Sequence, residues 1–215
     1  MLFDGQWYGG GQKTHVPTPT ILNNLTAEKR IPPVIAILVH AKKRISELGG
    51  SVKFTQFLAE ELMPVVRQRY RGTSDPTRVI IGGSSLGGSA AVYAALERPD
   101  IFGNVLSQSG AFWMPRDTSD PVQREFIPPK TWLIDEFIER PRVPVRFWME
   151  ASQFESAAKM IGPNRQLRDV LRAKGYSVTY RELGYGHDYL HWRDSLAEGL
   201  ISLLGTAANT PQLLE

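Results

Sequence analysis

The 215 residues carry 25 Lys and Arg against 22 Asp and Glu, a net charge of +3, with 42% hydrophobic residues, 15 Pro and no Cys. These proportions exclude a disordered or collagen-like chain and predict one globular domain over 1–215. Without cysteine there is no disulfide framework, thiolate nucleophile or Cys-ligated zinc. A small charge excess with no basic block speaks against nucleic acid as a partner.

The chain opens Met1-Leu2-Phe3-Asp4-Gly5, with neither a basic start nor an apolar stretch behind it, so no signal peptide is expected. The longest apolar run, 90–96, is too short to span a bilayer, so no membrane partner is expected either. Leu2-Phe3-Asp4-Gly5 has the pattern of a strand end running into a glycine turn. Residues 34–39 form a continuous apolar run, the pattern of a strand covered on both faces. Over 51–70, Phe54, Phe57, Leu58, Leu62, Val65 and Val66 recur at helical spacing. Residues 78–82 form a second strand, followed by Gly-Ser-Ser-Leu-Gly-Gly and a helix that Pro99 stops. A strand over 104–109 ends at Gly110, and 111–144 is irregular and proline-dotted, with a short helix at 130–139. Beyond it come a strand at 145–150, a polar helix at 163–174, an alternating edge strand at 176–183 and an amphipathic helix at 191–204. Strands alternating with helices predict an α/β fold with a mainly parallel sheet. Ligands bind such sheets at the carboxyl ends of the strands.

One of those ends carries Gly83-Ser84-Ser85-Leu86-Gly87, a G-x-S-x-G nucleophile elbow centred on Ser85. The glycines permit close backbone approach around a sharp strand-to-helix turn, which leaves the serine strained and exposed at a helix N-terminus. The free N–H groups there can stabilise an oxyanion. Without its chemistry, the segment is a glycine-rich turn that only packs.

A serine hydroxyl needs a base, and the histidines are His15, His40, His187 and His191. In elbow hydrolases the order is serine, acid, histidine. His187, in Gly184-Tyr185-Gly186-His187-Asp188 between the last strand and last helix, has the required position. His191 reads as a capping or packing residue. His187 and His191 also stand at the i, i+4 spacing of zinc proteases, but Asp188 replaces the Glu, glycines precede the pair, and no third ligand follows. No metal and no cofactor are therefore expected. The acid should follow the strand 145–150, where Glu150 and Glu155 are both candidates. Glu155, in the loop, is preferred, and a Ser–His dyad without an acid is the alternative.

The stretch 79–114 resembles the enterochelin (ferric-enterobactin) esterases of the esterase D-like α/β-hydrolases, as do Gly186-His187-Asp188 and Trp192-Arg193. Leu2-Phe3-Asp4-Gly5-Gln6 is similar to the family's Asp-Gly turn and Arg44-x-x-Glu47-Leu48 to its Arg-x-x-Glu-Leu segment, which lies near the site. The resemblance implies an α/β-hydrolase fold and oxyanion N–H groups from Gln6 and Leu86. Glu155 matches a family acidic position, with Ser152 where a glycine is common and Tyr185 where another is usual. The family's N-terminal domain and first sheet strands have no counterpart here, so the expectation is a catalytic part of a longer protein, truncated at its N-terminus.

The activity implied is that of a serine esterase working through an acyl-enzyme in the cytoplasm on a small-molecule ester. By resemblance that ester is a catecholate siderophore carrying ferric iron. Arg44, with Lys42 and Lys43, would attract the anionic complex, and Trp113 or Trp132 would stack on its rings. The alternatives are a general carboxylesterase or a feruloyl or acetyl esterase of the same fold, and a non-catalytic hydrolase-like module. Oligomeric state is not legible in the sequence.

Overall fold

The computed structural model describes residues 1–9, 15–116 and 131–205. Among them, β1 (Leu2–Phe3), β2 (Leu38–Val39), β3 (Ile80–Ser84), β4 (Asn104–Gln108), β5 (Arg146–Ser152) and β6 (Ser177–Leu183) form one sheet in the order β2-β1-β3-β4-β5-β6. Every neighbouring pair is parallel. The helices are α1 (Gly5–Tyr8), α2 (Thr18–Ala27), α3 (Arg44–Leu48), α4 (Val52–Gln56), α5 (Met63–Tyr70), α6 (Leu86–Glu97), α7 (Trp132–Glu139), α8 (Gly162–Ala173) and α9 (Tyr189–Leu204). No helix among the described residues is long and apolar enough to cross a membrane.

Adjacent residues of a strand face opposite sides of the sheet, and the sequence supplies apolar side chains at both. Phe3, Ile81, Val105 and Phe147 join one buried cluster, into which α3, α6, α7 and α8 send Leu48, Ala91, Phe137 and Leu167. Leu2, Ile80, Leu106 and Trp148 join the other, covered by Leu25 of α2 and by Leu196, Leu200 and Leu203 of α9. The result is a three-layer α/β/α unit, as the alternating pattern predicts.

Three local features differ from the sequence-based expectation. The run 34–39 joins the sheet only at Leu38–Val39, leaving Val34 and Ile35 37% and 45% exposed. Its partner β1 offers only Leu2 and Phe3 to pair. The 51–70 helix is interrupted by a wide π turn at Phe57–Leu62, just before Pro64, and another at Ala157–Ile161 precedes Pro163. Proline has no N–H to return to the preceding turn, and the wider turn accommodates that loss. Finally, α2 and α3 form where no helix is expected; in α2, Thr, Pro and Asn are weak helix formers. Tertiary packing decides there: Ile21 and Leu22 of α2 sit against the cluster beneath α9. Of the irregular stretch 111–144, residues 117–130 lie outside the described residues.

Candidate active site

Ser85 stands at the carboxyl end of β3 with φ 54° and ψ −120°, outside the regions comfortable for an L-residue. The turn is held from both sides. The Ser85 N–H donates to the Gln108 carbonyl at 2.8 Å, and the Ser85 carbonyl accepts from the N–H of Ala111 at 3.0 Å and of Gly88 at 3.0 Å. A Cβ on Gly83 would lie 2.9 Å from the Gly87 backbone, and one on Gly87 would lie 3.2 Å from Phe3 Cβ. Gly83 is therefore a steric requirement of this turn, while a Cβ on Gly87 would crowd Phe3 without being forbidden. Leu86 is the first residue of α6, where backbone N–H groups have no partner one turn back.

The neighbouring strand β1 ends in a second constrained turn. Asp4 is left-handed, with φ 55° and ψ 41°, and Gly5 packs so tightly on β2 that a Cβ would come 2.5 Å from the Leu38 carbonyl carbon. Gln6 follows in α1. The Asp4 side chain is 1% exposed and accepts two hydrogen bonds from Arg44, from Nε at 2.8 Å and Nη2 at 2.7 Å. The bond to Asp4 raises the Arg44 pKa above its ordinary value, against the effect of burial. Arg44 is thus engaged by the Asp-Gly turn while its side chain remains 37% exposed.

In the loops that follow β5 and β6, His187 Nδ1 lies 2.8 Å from Glu155 Oε1. The Glu155 side chain is fully buried, whereas that of His187 is 38% exposed. Burial alone would raise the Glu155 pKa; hydrogen bonding by His187, Ser109 and the Ser152 N–H outweighs it and holds the carboxyl below the usual range. The His187 ring stands edge-on to Trp192, at 5.0 Å and 89°. Asp188 caps α9, accepting from the N–H groups of Leu190 and His191, which fixes the loop that carries His187.

Of the two candidate acids, Glu155 is the one placed on His187. Glu150 is wholly buried within β5, where it accepts from Ser195 Oγ at 2.9 Å and lies 3.1 Å from His191 Nε2. His191 is also fully buried, its Nδ1 2.5 Å from Ser152 Oγ and its ring stacked on Tyr185 at 5.1 Å. The two histidines of the i, i+4 pair thus take separate partners. The packing role expected of His191 understated it, because a buried imidazole–carboxylate contact across 41 residues leaves no local pattern in a sequence.

Trp113 is half-buried beyond β4, with Lys159 Nζ 5.0 Å from its ring centre. Trp132 donates from Nε1 to the Met114 carbonyl and meets Tyr93 edge-on, with Arg116 over its ring, a packing arrangement. Lys42 and Lys43 are exposed. Ser85, Leu86, Gln6, Glu155 and His187 all follow the carboxyl ends of β3, β1, β5 and β6 in a parallel sheet, so one edge carries them all.

Residues 1–203 match the family model "Esterase", whose description is "Putative esterase". The iron(III) enterobactin esterase of Dickeya dadantii (strain 3937) is 34% identical over 203 residues, covering 90% of this chain and 46% of that protein. The iron(III) salmochelin esterase of Escherichia coli O6:H1 is 32% identical, over 95% of this chain and 50% of that protein. The crystal structure of the enterobactin esterase of Shigella flexneri in the presence of 2,3-di-hydroxy-N-benzoyl-glycine superposes with a TM-score of 0.80 at 29% identity, over 94% of this chain and 51% of that one. The chain spans about half the length of the curated relatives it matches.

Proposed function

Because the chain belongs to the Esterase family, we propose that it hydrolyses carboxylic esters through an acyl-enzyme on Ser85. The observation that carries this reading is the 2.8 Å contact between His187 Nδ1 and a fully buried carboxylate. With Nδ1 occupied by Glu155, His187 keeps Nε2 for the serine proton. In the first step Ser85 Oγ attacks the ester carbonyl and His187 takes its proton. The N–H groups of Gln6 and Leu86 receive the charge that develops on the carbonyl oxygen, and preorganised donors of this kind are worth about 10²–10³ in turnover each. His187 then returns the proton to the leaving alcohol, and water releases the acid by the same route in reverse. Glu155 orients the imidazole and stabilises its cation.

The substrate proposed is a catecholate siderophore ester, with ferric iron as its cargo, cleaved in the cytoplasm. The chain's relatives, an iron(III) enterobactin esterase and an iron(III) salmochelin esterase, support this class. The exposed face of Arg44 and the Trp113–Lys159 pair provide cationic and aromatic surfaces suited to anionic catecholates. A fluorophosphonate probe tests the nucleophile: labelling is expected and is lost in Ser85→Ala, whereas labelling that survives the substitution sinks the reading. Turnover of a catecholate trilactone against a p-nitrophenyl ester tests the substrate. Turnover of the small ester alone would make the chain a general esterase.

A further inference from the structure

Two carboxylate–imidazole contacts lie either side of Ser152, the last residue of β5. In front, Glu155 holds His187. Behind, Glu150 faces His191, and both side chains are fully excluded from solvent. Ser152 joins the two. Its N–H donates to Glu155 Oε2 at 3.1 Å, and its hydroxyl lies 2.5 Å from His191 Nδ1. Ser195 extends the rear set, donating to Glu150 Oε1 and accepting from Gln108 Nε2, whose own side-chain carbonyl accepts from Tyr8.

The His191 ring is approached at both nitrogens: Nε2 lies 3.1 Å from Glu150 Oε1 and Nδ1 2.5 Å from Ser152 Oγ. The contact to Ser152 acts on the residue that presents an N–H to the front carboxylate.

We propose that His191 is a positioning residue: through Ser152 Oγ it fixes the turn at the end of β5, and so holds Glu155 in register with His187. This inference rests on the serine-esterase reading only for its catalytic consequence; the geometry it describes stands apart from it. Neighbouring main-chain bonds tie the same turn to the base loop, from Gln153 N to the Leu183 carbonyl and from Phe154 N to the Tyr185 carbonyl. The titratable groups facing His191 are Glu150 from β5, Tyr185 from the loop before α9 and Asp188 at the head of its own helix. Beyond Glu150, Glu155 adds negative charge.

The test is Ser152→Ala, which removes one hydroxyl, beside His191→Leu and His191→Asn. Asparagine can still reach Ser152 Oγ from the position of Nδ1. The first readout is the NMR signal of the His187 Nδ1 proton at one fixed pH, which follows the Glu155–His187 contact whether or not the protein is an esterase. In Ser152→Ala that signal is expected to move upfield and exchange faster with solvent, because a loosened carboxylate accepts the bond less well. In His191→Asn it should lie nearer wild type than in His191→Leu. The second readout is the fluorophosphonate labelling rate, expected to fall about tenfold in Ser152→Ala, the scale of one lost buried hydrogen bond. An unchanged His187 Nδ1 proton signal in Ser152→Ala, with only a lowered melting temperature, overturns the inference. Labelling that persists in Ser85→Ala instead overturns the esterase reading and leaves the NMR result to decide this one. If His191→Leu does not fold, Ser152→Ala decides alone.

Discussion

Asp4 and Arg44 form a two-point ion pair in which the carboxylate is buried and the guanidinium is partly open to solvent. The pair ties the turn after β1 to the start of α3, and Asp4 Oδ2 also lies over the elbow, 3.4 Å from where a Cβ on Gly87 would stand. Removing the cation leaves a buried charge unpaired, a change that costs about 3–5 kcal/mol for a fully buried pair. Partial exposure of Arg44 lowers the expectation for Arg44→Met to about 2 kcal/mol by urea unfolding. Arg44→Lys, which keeps the charge but not the planar fork, should fall between the two. In both variants kcat should drop more than KM rises if the turn carries an oxyanion donor.

The elbow stores strain that a different substitution can release. Ser85 is held at φ 54° and ψ −120° by bonds to Gln108 and Ala111. Such a conformation costs a non-glycine residue about 1–3 kcal/mol, and glycine little. Ser85→Ala and Ser85→Gly should both abolish activity, yet Ser85→Gly should unfold at the higher urea concentration, by about 1 kcal/mol after its own entropy cost. Equal midpoints would mean that the turn is not strained.

How much of this was legible beforehand depended on the range over which each feature is encoded. The elbow was legible because Gly83, Ser85 and Gly87 meet one another within a single turn. His187 was legible from its place between the last strand and last helix. Glu155 and Glu150 could not be separated by order alone, since both follow the same apolar run; what separates them is where β5 ends, two residues later than the hydrophobic pattern does, which keeps Glu150 inside the sheet. The commitment of Arg44 to Asp4, across 40 residues, and of His191 to Ser152, across 39, depends on tertiary packing and has no local signature.

Packing of α9 on the sheet makes a separate prediction. A Cβ at Gly199 would come 2.8 Å from Leu106 Cδ1 and 2.9 Å from Trp148 Cε3. Gly→Ala within a helix ordinarily adds up to about 1 kcal/mol of stability. Here the fully buried Trp148 ring must move to make room, and overpacking costs about 1–3 kcal/mol. Gly199→Ala should therefore be destabilising on balance in thermal or urea unfolding, while leaving fluorophosphonate labelling of the folded protein close to wild type. A stabilised variant would show that the helix can slide.

Glu155 adds a pH dependence whose sign follows from its surroundings. Hydrogen bonds from His187, Ser109 and the Ser152 N–H hold its carboxyl below the usual range in the folded protein, despite burial. A carboxyl depressed on folding contributes stability that is complete above its unfolded pKa of about 4.3 and is lost as pH falls through the lower folded value. Glu155→Gln removes that contribution. The stability gap between wild type and the variant, read from urea midpoints below about pH 5.5, should narrow as the unfolded, then the folded, carboxyl protonates. The narrowing must be on the acid side, because folding then competes with proton uptake that the native hydrogen bonds oppose. A gap that widened over that acid range would mean that burial, and not the bonds from His187, Ser109 and Ser152, controls this carboxylate.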